Sequence, residues 1–242
     1  MEIHPPEHGI HNWREFFVHM GTIVLGVLIA IGLEQSVEAI HRRHELNHLR
    51  RELRADIEKN KRRTDGLIRY ELVENQWYQG AWKVMRENID HPGANVSISP
   101  FPYLPADAVE PGDAVWTAAR QSGTATLMSG EEFQIYSELG IGYDDEKRWA
   151  QLHEQGEAAT LQLLFELKNK DGSLDLASRT LEERRRIAHS MNEAYYENGT
   201  YCGVLEELDR ADEAILNGAK DVDEVTQAET ANTKPWEQPV GH

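Results

Sequence analysis

Residues 16–33 read FFVHMGTIVLGVLIAIGL, eighteen consecutive positions without Asp, Glu, Lys or Arg. As a helix rising about 1.5 Å per residue, the run covers roughly 27 Å, close to the ~30 Å hydrocarbon layer of a bilayer. The core helix of a soluble protein normally keeps a polar stripe, and this run has none. A cleaved signal peptide fits poorly. The leader sets Arg14 alone against Glu2, Glu7 and Glu15, and no small-x-small cleavage site follows before His41. The run therefore reads as an uncleaved transmembrane helix preceded by a short tail, residues 1–15. Trp13 and Phe16 fall where an interfacial aromatic belt lies, with Glu34 and Gln35 at the opposite edge. His19 reads as a headgroup-level polar residue rather than a proton relay.

Inside the span Thr22, Gly26 and Ala30 recur every four residues. That spacing sets three small side chains on one helix face, where a second membrane helix can approach closely. Beyond the span, Arg42, Arg43, Arg50, Arg51 and Arg54 lie within about twenty residues, against Arg14 before it. The asymmetry predicts a cytoplasmic position for the C-terminal bulk. Residues 41–63 hold nine Lys or Arg and four Asp or Glu. Next to a membrane such a cluster attracts anionic headgroups, at about 1 kcal/mol per charge, so those five arginines are the expected lipid contacts.

Residues 34–90 contain no proline and read as a juxtamembrane stalk helix. Leu46, Leu49, Leu53 and Ile57 form one apolar stripe; Leu67, Ile68, Leu72, Trp77, Tyr78 and Trp82 form a second, more aromatic one. Residues 91–113 hold five of the nine prolines and predict an irregular connection that wraps the surface or serves a contact. A helical bundle follows over 114–217. Its parts are a short helix at 114–121, a long one opened by the capping box of Ser129 and Glu132 and ending near Asn169, and a last one opened by Thr180 and Glu183. In the long helix Trp149, Leu152, Ala159, Leu163 and Leu167 form the expected bundle face, and Gly140 and Gly142 are sites for a kink. Residues 218–242 are polar and acidic and predict a flexible tail. The fold class is all-α: a transmembrane helix, a stalk and a helical bundle.

The block HNWREFFVHMGTIVLGVLIAIGLEQSVEAIHRRHE resembles the start of a family of uncharacterised bacterial single-span proteins. In that family a W-R-E-F element precedes a Gly-containing helix ending in an L-x-E-Q or similar run, here Leu33-Glu34-Gln35. The stretch AVWTAARQSGTATLMSGEEFQIYSELG is similar to the family's soluble part, with W-x-x-A-x-x-S-G over Trp116 to Gly123 and Met128 before a helix. The resemblance covers about a quarter of the chain. It implies architecture and a bacterial inner membrane, and no chemistry.

Chemistry-bearing patterns are sparse. With 25 basic against 42 acidic residues the net charge is −17, which argues against nucleic acid as a partner. The single Cys202 rules out an internal disulfide and a Cys-rich zinc site, and reads as a small core residue. Glu38-x-x-His41 and Glu45-x-x-His48, with His44 between, repeat a spacing used by carboxylate-bridged metal sites. Both pairs sit on one helix among arginines, so an exposed face laced with pairs such as Glu38–Arg42 is the expected arrangement. Asp144, Asp145 and Glu146 are adjacent and point different ways. No GxSxG, Walker A, GxGxxG, HExxH or CxxC occurs. The expected function is therefore non-enzymatic, with no catalytic, cofactor or metal residues assigned. The chain reads as a membrane protein acting through contacts with the bilayer and with itself or other subunits. A membrane-anchored sensor working through the stalk is the alternative.

Overall fold

The computed structural model describes residues 13–93, 96–103, 109–170 and 173–231. Five helices form: α1 (Trp13–Glu87), α2 (Ala114–Ser122), α3 (Gly130–Leu167), α4 (Leu181–Leu216) and α5 (Val222–Thr230), with a 3-10 turn at Thr124–Leu127. Among the described residues the only β pairings are isolated bridges joining Leu174 to Val96 and Lys168. The fold is all-α, as the sequence predicts. The chain divides into two compact units, Met1–Arg50 and Arg51–His242. In the first, the apolar window of α1 has no buried residue.

The second unit is a three-helix bundle of α3, α4 and the part of α1 that follows Arg51. Ile57 packs with Leu139 and Leu208, Leu67 with Ala150 and Leu205, and Tyr78 with Leu167 and Met191. Numbers rise together along α1 and α3 and fall along α4, so α3 runs parallel to α1 and α4 antiparallel. The buried face of α1 steps by threes and fours through Leu53, Ile57, Asn60, Thr64, Leu67, Glu71, Glu74, Tyr78, Ala81 and Met85.

Two parallel helices need a return path between them, and the proline-rich connection supplies it. Trp77 Nε1 donates to Ser99 O at 2.8 Å, Tyr70 Oη to Pro102 O at 2.7 Å, and Asn60 Nδ2 to Gly112 O at 2.7 Å. The connection thus runs back down α1, and Phe101 seats edge-on against Trp77 with ring centroids 4.8 Å apart. The segment that looked irregular is a strap with a defined course, matching the expectation that it wraps the surface.

Local signals hold at the helix starts. Ser129 accepts from Glu132 N at 3.2 Å, and Thr180 and Glu183 close the full capping box. The expected core face of α3 is corrected. Leu152 and Ala159 are exposed, whereas Ala150, His153, Thr160 and Leu167 are buried. Of the expected face, Leu167 is buried and Trp149 packs against Leu67, Ala150, Tyr201 and Leu205; the rest of the core there is partly polar, which apolar spacing does not register. Gly140 and Gly142 lie inside an unbroken α3; a Cβ on Gly140 would come within 3.0 Å of Trp116 Cδ1, so the glycine serves close packing of α2. The expectation of a flexible tail from 218 is also corrected: α5 is capped by Asp221, which accepts from Glu224 N at 2.9 Å, and buries Val225 against the Leu208 and Ala211 end of the bundle. Residues 232–242 lie outside the described residues, as do 1–12.

Leu205, fully buried at the centre of the bundle, gives the first prediction. Leu205→Ala lowers unfolding stability by about 2–5 kcal/mol, whereas Leu152→Ala on the exposed side changes it by about 0.5 or less. Chemical denaturation followed by far-UV circular dichroism checks both; equal losses would refute the assigned core face.

Candidate functional site

The middle of the bundle is built from polar side chains. Glu71 and Glu74, one turn apart on α1, are 3% and 0% exposed, and His153 of α3 is 5% exposed. His153 Nε2 lies 3.2 Å from Glu71 Oε2 and 3.4 Å from Glu74 Oε1. Asn198 of α4 donates to Glu71 Oε2 at 2.7 Å and accepts from Asn75 Nδ2 at 2.8 Å, so all three helices meet in one layer. The His153 ring stacks on Tyr201 with centroids 5.3 Å apart, and Tyr201 Oη donates to Glu146 Oε1 at 2.8 Å. A second layer lies nearer the α5 end, where Tyr143 Oη donates to Asp212 Oδ1 at 2.7 Å.

Burial opposes charge on every one of these groups, and their partners decide how far it succeeds. For His153 burial lowers the pKa, but the carboxylates of Glu71 and Glu74 beside its Nε2 outweigh it, and the pKa rises to about 10. Burial raises Glu71 against the pull of His153 and Asn198. Glu157, one turn along α3, is pushed up to about 7 by burial and by the charge of Glu74. Burial likewise carries Glu146 to about 7, against the Tyr201 hydrogen bond, and Asp212 to about 7, against that of Tyr143. Glu74 is the exception in its hydrogen bonding. Among the described residues neither of its oxygens accepts a hydrogen bond, although the side chain is wholly enclosed.

The residues singled out in the sequence lie elsewhere. Thr22, Gly26 and Ala30 are exposed on α1, and a Cβ on Gly26 would meet nothing within 4 Å. Arg42 pairs with Glu38 at 3.7 Å, the exposed ladder expected there. Arg54 is spent within the second unit, on Glu58 at 3.2 Å and on Leu216 O at 3.2 Å, where it serves the carbonyl end of α4. Arg43, Arg50 and Arg51 are exposed. Glu38, His41, Glu45 and His48 are exposed along one helix. Among the described residues, the group of three whose donor atoms all fall within 4.8 Å of one another is Glu71, Glu74 and His153. Glu146 departs from its neighbours, as expected of an adjacent trio: it is buried while Asp145 pairs with Arg148 at the surface. Cys202 is fully buried, and burial raises its thiol pKa.

The missed residues had a signal. Continuing the Leu53–Ile57 stripe by threes and fours lands on Asn60, Thr64, Leu67, Glu71, Glu74 and Tyr78. The stripe was broken off where it ceased to be apolar. Beside the bundle's aromatic end an open groove of about 630 Å³ is lined by Ile98, Phe101, Tyr103, Leu161 and Phe165, with Phe165 81% exposed. No family model, curated protein or solved structure matches the chain.

Asp212 and Glu146 set the pH dependence. A carboxyl whose folded pKa lies above its unfolded value holds its proton longer in the folded state. Its contribution is complete below the unfolded pKa and is lost as pH rises through about 7. Stability therefore falls between pH 5 and 8, by at most about 1.4 kcal/mol per pH unit for each group. Asp212→Asn and Glu146→Gln each flatten this slope. Thermal melts across that range check it, and a slope unchanged in both variants overturns the assignment.

Proposed function

We propose that the chain is a single-span membrane protein acting through protein contacts, as an accessory or scaffold subunit or as a homo-oligomer. One observation carries the reading. The apolar window lies uncovered on α1, and the same helix continues into the bundle as one of its three core members. An uncovered apolar helix needs an apolar solvent, and its Thr22, Gly26 and Ala30 face is open to a second helix. The groove at Phe165 adds exposed apolar surface of the kind that partner proteins cover. The flanking arginines favour a cytoplasmic bundle at a bacterial inner membrane, with Arg42, Arg43, Arg50 and Arg51 exposed on α1 and Arg54 committed to α4.

The sensor reading also has support. Glu71 and Glu74 stand on the helix that carries the window, so a change in the polar layer acts on an element shared with the span.

The anchor is tested by extraction. The full chain stays with membranes through a carbonate wash, and a chain starting at Glu45 is released; identical partitioning of the two refutes the anchor. Self-association is tested separately. Gly26→Ile weakens it several-fold in a membrane two-hybrid assay, because a branched side chain holds the backbones apart. An undiminished signal removes that face from the proposal.

A further inference from the structure

We propose that Glu71, Glu74 and His153 form a binding site for one divalent first-row transition cation, buried in the bundle between α1 and α3. The inference stands apart from the membrane reading and does not need it.

The first support is geometric. Ligand atoms held at about 2.1 Å from a tetrahedral metal lie roughly 3.4 Å from one another. His153 Nε2 stands 3.2 Å from Glu71 Oε2 and 3.4 Å from Glu74 Oε1, so the imidazole sits at metal-ligand spacing from both carboxylates, and all three donors lie within 4.8 Å of one another. Two carboxylates and an imidazole form a mixed oxygen and nitrogen set, which suits zinc, manganese or iron(II) rather than calcium or a soft thiolate-seeking ion.

The second support is the Glu74 carboxylate. It is 0% exposed, it is directed at His153, and among the described residues neither of its oxygens accepts a hydrogen bond. A buried carboxylate lacking those bonds is costly, and a cation supplies what it lacks. Glu71, by contrast, is steadied by Asn198, itself held by Asn75. That is the outer support a metal-binding carboxylate normally has. Tyr201 stacks on the His153 ring and is anchored in turn through Glu146, which holds the imidazole plane.

The third support is charge. Glu71 and Glu74 bring two carboxylates to a single imidazole in the core. Two carboxylates, a neutral imidazole and a divalent cation sum to zero.

The test uses the full chain, purified in detergent with chelator and then freed of it. Zn²⁺ titrated against a chromophoric chelator should bind at one ion per chain. Co²⁺ in its place should give visible d–d absorption typical of four or five ligands. Glu74→Gln and His153→Gln should each weaken Zn²⁺ binding at least tenfold, with helical circular dichroism retained. His41→Ala combined with His48→Ala should leave binding unchanged. Absence of zinc binding by the unaltered chain overturns the proposal whatever the variants do. So does binding that survives both core substitutions, or that is lost on changing His41 and His48.

Discussion

An imidazole held between two buried carboxylates sets the terms for the rest of the bundle. Taking three ionisable groups out of water costs several kcal/mol for each ion, and the cost is met only when geometry and hydrogen bonds are complete. Here completeness requires all three helices at one height: Glu71 and Glu74 from α1, His153 from α3, Asn198 from α4. Sliding α3 by one turn would replace His153 opposite the carboxylates with Trp149 or Glu157. Sliding α4 would withdraw Asn198 from Glu71. Apolar layers tolerate such slips because one leucine replaces another; this layer does not. The flanking Tyr201–Glu146 and Tyr143–Asp212 pairs add the same demand at two further heights. Register is thus specified by polar pairs, and the apolar clusters on either side supply the burial.

The strap follows from that register. With α3 parallel to α1, the chain must travel the length of the bundle between them, a path that a short turn cannot make. Prolines suit such a path, since they resist helix and leave carbonyls free to accept from α1. The bonds from Trp77, Tyr70 and Asn60 to Ser99, Pro102 and Gly112 tie the strap at three heights. The lowest tie comes from Asn60, a residue of the α1 core stripe.

What the sequence made legible was whatever depends on neighbours a few residues away. Both capping boxes and the absence of strands among the described residues could be read directly, because local spacing decides them. The α3 face could be read only at Leu167 and Trp149, because apolar spacing predicts a core only where the core is apolar. His153, Glu157 and Thr160 read as surface residues until Glu71 and Glu74 stand opposite them. The α5 helix escaped for a related reason. A single buried valine within VDEVTQAET, capped by Asp221, leaves too faint a stripe to outweigh a polar composition. The candidate site itself was hidden because both expected stalk stripes, Leu46 to Ile57 and Leu67 to Trp82, count apolar residues alone and pass over Glu71 and Glu74.

Polarity along α1 is inverted with respect to covering. Its most apolar stretch, residues 16–33, is uncovered, whereas its covered face beyond Arg51 carries Asn60, Thr64, Glu71 and Glu74. In water alone this arrangement is doubly unfavourable, since it hydrates the leucines and dehydrates the carboxylates. The uncovered stretch is long and apolar enough to cross a membrane. The covered carboxylates are accounted for by opposite charge brought to them inside the protein, by His153 as an imidazolium or by a cation. One helix therefore carries two kinds of sequence, an uncovered apolar stretch and a covered face that includes charged and polar side chains.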